Sequence, residues 1–141
     1  MKVFIGGSIS IQYLDQPVKE VLSKLIANGS EILVGDAYGV DSLIQIYCFN
    51  NFYRNVTVYT CNYQPRNNLG SFKTKRIVPE KRVYGREFYT QKDIAMSNDC
   101  DCAFMIWDEY SKGTLNNINR LSELGKRVEV YSTIKKKIKE Y

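Results

Sequence analysis

Apolar residues in this chain fall into short continuous runs, and the stretches between most of them have helical periodicity. Lys2 to Ile5, Ile32-Leu33-Val34, Val56-Thr57-Val58-Tyr59, Ala103 to Trp107 and Arg127 to Tyr131 read as five strands. After the first, Val18, Val21, Leu22, Leu25 and Ile26 recur at the spacing of one helix face. Pro17 suits the first turn of that helix, and Asn28-Gly29 suits its end. Further helices are predicted from about Val40 to Phe52, from Arg86 to Asn98, and from Leu115 to Leu124 with a stop at Gly125. Strand runs that are apolar throughout, alternating with helices, argue for a parallel sheet covered on both faces. The expected fold is α/β: a single Rossmann-like three-layer domain of about five parallel strands with helices on both faces. Numbered along the chain, the default strand order is 3-2-1-4-5, which places a switch point between strands 1 and 4.

The periodicity breaks between residues 61 and 85. Pro65, Asn67, Asn68, Gly70 and Pro79 punctuate this segment, which reads as a long loop. The domain is expected to span 1–132, followed by a lysine-rich tail, 133–141, forming a short helix or fraying. Charge follows the same division. Of the net +5, residues 66–86 contribute seven cations against Glu80, and residues 133–141 four lysines against Glu140. The rest of the chain is therefore mildly acidic. A basic loop attracts an anionic ligand or nucleic acid, or is simply a solvated surface.

The 141 residues suffice for one domain with a real core. No run is long and apolar enough to span a membrane. The opening Met1-Lys2-Val3-Phe4-Ile5 enters a strand pattern directly, so a cytoplasmic location is expected. Cys48, Cys61, Cys100 and Cys102 lack zinc-site spacing and are expected to be reduced thiols, with no metal or cofactor. The chain contains no histidine, which excludes histidine-based acid–base catalysis.

Three glycine-bearing turns follow three strands: Gly6-Gly7-Ser8, Gly35-Asp36-Ala37-Tyr38-Gly39-Val40-Asp41, and Ser111-Lys112-Gly113-Thr114. A parallel sheet gathers all three on the edge where open α/β folds bind ligands. Glycine admits close backbone approach, and a helix N-terminus attracts an anion. The candidate ligand-binding residues are Gly6, Gly7, Ser8, Gly35, Asp36, Gly39, Ser111, Lys112, Gly113 and Thr114. Asp36, Glu87 and Asp108 are the candidate catalytic carboxylates. Each also has a plain structural reading: a helix cap for Asp36, a favourable first-turn charge for Glu87, an exposed turn for Asp108. Asp41 reads preferentially as a cap, and Trp107 as core.

These motifs together resemble the SLOG superfamily, which includes the Lonely Guy-type nucleotide hydrolases and the DNA-uptake protein DprA. The similarity is greatest to its YspA-type branch. It rests on the Gly35–Asp41 turn, on Lys92-Asp93-Ile94-Ala95-Met96 with Asp99-Cys100-Asp101, and on Phe104 to Asp108 followed by Ser111-Lys112-Gly113-Thr114. The resemblance implies a nucleotide-type ligand with its phosphate at the Gly113 turn, and self-association as a dimer or higher. Some relatives cleave N-glycosidic bonds with an arginine and a glutamate. Here those positions hold Lys92 and Asn117, and an amide cannot replace a carboxylate as nucleophile or base. The expected function is binding of a nucleotide or nucleotide-derived ligand, such as an ADP-ribose-like molecule, as a sensor or sequestering module. The alternatives are an N-glycosidic hydrolase or transferase and a nucleic-acid-binding protein.

Overall fold

The computed structural model describes residues 1–141. Seven strands form one sheet: β1 (Lys2–Gly7), β2 (Glu31–Gly35), β3 (Val56–Thr60), β4 (Lys73–Arg76), β5 (Cys102–Trp107), β6 (Arg127–Ser132) and β7 (Lys137–Glu140). The helices are α1 (Gln16–Ala27), α2 (Val40–Asn50), α3 (Gly85–Asp99) and α4 (Lys112–Glu123). The spatial order is β4-β3-β2-β1-β5-β6-β7, parallel except for β7. Its inner five strands follow the expected order, and the topology reverses between β1 and β5 as the doubly wound scheme requires.

Successive residues of each strand point to opposite faces, so a continuously apolar run fills two cores. Val3, Ile5, Ile32, Val34, Val56, Val58, Phe104 and Ile106 pack with Val18 and Leu22 of α1 and Val40, Ile44 and Cys48 of α2. Phe4, Leu33, Tyr59, Ala103, Met105, Val128 and Val130 pack on the other side with Met96 of α3 and Ile118 and Leu121 of α4. Two helices therefore cover each face. Pro17 lies in the first turn of α1, and Gly29, at φ 69°, turns the chain out of its end.

Two segments differ from the reading of the sequence. The 61–85 segment contains β4, a parallel edge strand with no apolar residue, so it gives no hydrophobic signal. The lysine-rich tail is neither helical nor frayed. Its residues 137–140 fold back as β7 against β6, with Tyr131 opposite Ile138. Strand alternation in Lys137-Ile138-Lys139-Glu140 spans only four residues, too few to outweigh its charge. The strand count rises from about five to seven for these two reasons.

Leu22 is fully buried between α1 and the sheet. Leu22→Ala is expected to lower unfolding free energy by about 2–5 kcal/mol, measured by urea denaturation.

Candidate functional site

After β1 and β5 the chain leaves to opposite faces of the sheet, towards α1 and α4, and a cleft of about 500 Å³ opens at this reversal. Its floor is Phe4, Gly6 and Gly7 of β1. Gly7 is required there because a Cβ would collide with the Ile106 carbonyl and the Val40 side chain. One wall is the start of α4, with Lys112, Gly113, Thr114, Asn116, Asn117 and Arg120; the other is the face of α3 carrying Arg86, Tyr89, Thr90, Asp93 and Met96. Ile9, Ala37 and Arg66 close the rim.

The α4 wall suits an anion. Ser111 precedes the helix in an extended conformation, and no side chain caps the first-turn N–H groups. Gly113 lines the cleft, and beyond its chain neighbours and own helix backbone nothing lies within 4 Å of where a Cβ would sit, so a side chain there would enter open space. The turn is braced from behind. Trp107 Nε1 donates to the Ser111 carbonyl at 3.0 Å, Asp108 Oδ1 accepts from the Tyr110 and Ser111 N–H groups, and Ser8 Oγ lies 3.4 Å from Thr114 Oγ1.

Five cations line the cleft, Arg66, Arg86, Lys92, Lys112 and Arg120, against two carboxylates, Asp41 and Asp93. Lys92 is 5% exposed and donates to Asp93 Oδ1 at 2.8 Å. Burial alone would lower its pKa, but Asp93 and Asp41 outweigh it and keep the ammonium charged. From Asp93 a polar chain crosses to α4: Asn117 Nδ2 donates to Asp93 Oδ2 at 3.3 Å, and Arg120 Nη1 to Asn117 Oδ1 at 2.6 Å. Asp41 sits against Gly35, where a Cβ would lie 2.5 Å from its Oδ2. That oxygen accepts from the Ala37 N–H at 3.1 Å, so Asp41 ties the preceding loop rather than capping α2. Burial pushes the Asp41 carboxyl up to about 7, opposed by Lys92 and reinforced by the negative charges of Asp93 and Asp36.

The sequence-derived residues divide between cleft and scaffold. Gly6, Gly7, Ser111, Lys112, Gly113 and Thr114 line the cleft; Ser8, Gly35, Asp36 and Gly39 stand behind it. Gly39, at φ 73°, packs against the Ile9 backbone. Asp36 is buried and accepts from Arg66 Nε, Nη2 and backbone N–H and from Thr60 Oγ1. Burial would raise its pKa, but those donors, above all Arg66, hold it below the usual range. Asp108 accepts from Ser10 Oγ at 2.6 Å as well as from the turn N–H groups, and its carboxyl is likewise held low against a burial effect. Glu87 is exposed on α3, outside the cleft.

Sequence reasoning missed Arg86, Tyr89, Thr90, Asn116 and Arg120 as cleft residues. Their signal was a polar stripe at helical spacing on α3 and α4, which reads as an ordinary solvent face. Tyr89 also carries the Arg66 guanidinium 4.1 Å over its ring. No helix is long and apolar enough to cross a membrane.

No family model matches the chain, and no curated protein matches it. Among solved structures it is similar to DNA processing protein A from Helicobacter pylori, described for its single-stranded DNA binding mode, with a TM-score of 0.68. The match covers 92% of this chain and 64% of that one at 16% identity. The chain thus has a DprA-like Rossmann fold and spans just under two thirds of that neighbour's length. At this identity the likeness is one of fold.

The raised Asp41 pKa has a consequence for stability. The native state keeps this proton up to about pH 7, whereas the unfolded chain releases it near 3.8. Between those values the native state holds more protons, so this group lowers stability as pH rises and leaves a constant penalty above. Asp41→Asn, which cannot ionise, is expected to be more stable than the wild type by roughly 1–3 kcal/mol at about pH 8. The gap should close towards about pH 4 in paired thermal or urea unfolding curves.

Proposed function

We propose that the chain is a SLOG-type binding module whose cleft takes a phosphate-bearing nucleotide or nucleotide-derived ligand. The observation carrying this reading is the cation-rich cleft at the β1/β5 reversal, with the uncapped start of α4 as one wall. A phosphate on the Lys112–Thr114 turn would meet free N–H groups and the helix dipole. Arg120 and Arg86 supply further charge, and the Arg66 guanidinium stacked on Tyr89 adds another cation at the rim. Of the residues that carry the resemblance to the YspA-type branch, Lys92, Asp93, Met96 and Ser111 to Thr114 line these walls. Binding is favoured over cleavage because the candidate carboxylates are engaged or turned away. Asp36 is held by Arg66 and Thr60, Asp108 braces the α4 turn, and Glu87 lies outside the cleft. Asp93 does face the cleft, but it is paired with Lys92.

The test is calorimetric titration with NAD, ADP-ribose, AMP and cyclic dinucleotides, each mixture then analysed for cleavage. Unchanged ligand and measurable affinity are expected. Gly113→Val should weaken binding at least about tenfold, because its side chain would project from the cleft wall into the space proposed for the ligand. The change in stability should stay within about 1 kcal/mol. Free base in the mixture, or Gly113→Val binding like the wild type, would count against the reading.

A second reading, single-stranded nucleic acid, is favoured by one further observation besides the neighbour's single-stranded DNA binding. Lys73, Lys75 and Arg76 lie along the exposed β4 edge, and the Arg76 guanidinium stands 5.1 Å over the exposed Tyr63 ring. A basic edge with an exposed aromatic ring beside it suits a single strand. Under this reading, oligothymidylate binding weakens with salt. Replacing the three cations by glutamine then lowers the log–log salt slope by about 0.7 for each phosphate no longer neutralised. A slope that does not change excludes this edge from the interface.

A further inference from the structure

The charges buried at the back of the cleft do not balance when every group is ionised. Asp36 pairs with Arg66 at 2.8 Å, and Lys92 pairs with Asp93 at 2.8 Å. Both pairs are one to one. Asp41 is the carboxylate left over: 7% exposed, packed on Gly35, and close to Lys92 without a hydrogen bond to it. Around it stand Asp36 from the loop after β2, Lys92 and Asp93 from α3, and Arg66 from the loop after β3. The neighbouring end of β1 contributes only Gly6 and Gly7. An ionised Asp41 therefore adds one uncompensated negative charge to a cluster otherwise paired, a costly arrangement at low exposure.

The two oxygens of Asp41 are not equivalent. Oδ2 accepts from the Ala37 N–H at 3.1 Å. Oδ1 has no protein partner, yet the protein has no fully enclosed side-chain oxygen without one, so Oδ1 is reached from the cleft that Asp41 lines. A proton on Oδ1 turns that oxygen from an acceptor into a donor facing the ligand space.

We propose that Asp41 engages the ligand as a neutral carboxylic acid, donating a hydrogen bond from Oδ1 to an anionic phosphate oxygen, so that binding takes up a proton. The inference rests on the nucleotide reading of the cleft. The atoms balance simply: one solvent proton joins the Asp41 carboxylate, and no covalent bond of the ligand changes. Ionised Asp41 repels a phosphate; neutral Asp41 holds one and leaves Arg86, Lys112 and Arg120 as the cleft's unopposed charges. The carboxyl pKa near neutrality agrees with a proton that is exchanged under ordinary conditions.

The experiment is calorimetric titration of ADP-ribose, whose pyrophosphate is esterified at both ends and keeps constant charge across the range. Wild type and Asp41→Asn are titrated from about pH 5.5 to about pH 8.5, in buffers of different ionisation enthalpy. Wild-type affinity is expected to fall towards tenfold per pH unit above about pH 7, with close to one proton taken up at the alkaline end and none at the acid end. Asp41→Asn keeps an N–H donor at the same place, and its affinity is expected to be independent of pH. Wild-type affinity independent of pH, or the same slope in Asp41→Asn, overturns the proposal while the nucleotide reading stands. Absence of ADP-ribose binding in both proteins at every pH overturns this proposal; absence of binding to the whole nucleotide panel overturns the nucleotide reading too. If Asp41→Asn fails to fold, the wild-type proton count decides alone.

Discussion

A buried ammonium must be neutralised where it lies, and the position of Lys92 constrains most of what surrounds it. The side chain projects from α3 towards the end of β2, where Gly35 leaves room for it and for Asp41. Asp93 closes the pair from the next position on the same helix. That arrangement fixes the rotation of α3 about its axis. With Lys92 turned inward and Met96 in the core, Arg86, Tyr89 and Thr90 face the cleft. Asp93 then reaches Asn117, and Asn117 holds Arg120, so the orientation of α3 passes to α4 through side-chain hydrogen bonds.

The Asp36–Arg66 pair does the same for the opposite rim. The segment after β3 has no apolar run with which to bury itself, and polar anchors hold it instead. Arg66 grips Asp36 through side chain and backbone, Asn67 Nδ2 donates to the Asp36 carbonyl, and Gln45 of α2 bonds Asn67 and Leu69. Asn68 and Phe72 close a further turn, and Arg54 donates to the carbonyls of Gly70 and Ser71. This polar scaffold delivers Arg66 to the cleft and leads the chain into β4.

The legible parts of the sequence were those written in apolar runs and glycine turns. Val3 to Ile5, Ile32 to Val34 and Phe104 to Ile106 had to be central strands, because nothing else buries such runs on both sides. The α4 turn was legible because Gly113 follows a strand and opens a helix. What escaped was written in polar residues, whose partners are distant in the chain. Arg66 and Asp36 are thirty positions apart, and no local pattern announces their pairing. Asp36 and Asp108 look in the sequence like groups available to a ligand; their surroundings show acceptors already in use. β4 and β7 were hidden because neither has enough apolar residues to signal a strand, although each has a neighbouring strand ready to pair with it.

Those two strands form the margins of the sheet, and both are charged. β4 presents Lys73, Lys75 and Arg76; β7 presents Lys137 and Lys139 with Glu140. Charged side chains along an edge strand, lysines above all, discourage a strand from another copy from pairing with either margin. An open sheet is in principle a polymer lacking its next unit. Here electrostatics ends the chain of additions at both sides, and a seven-stranded sheet remains a finite object.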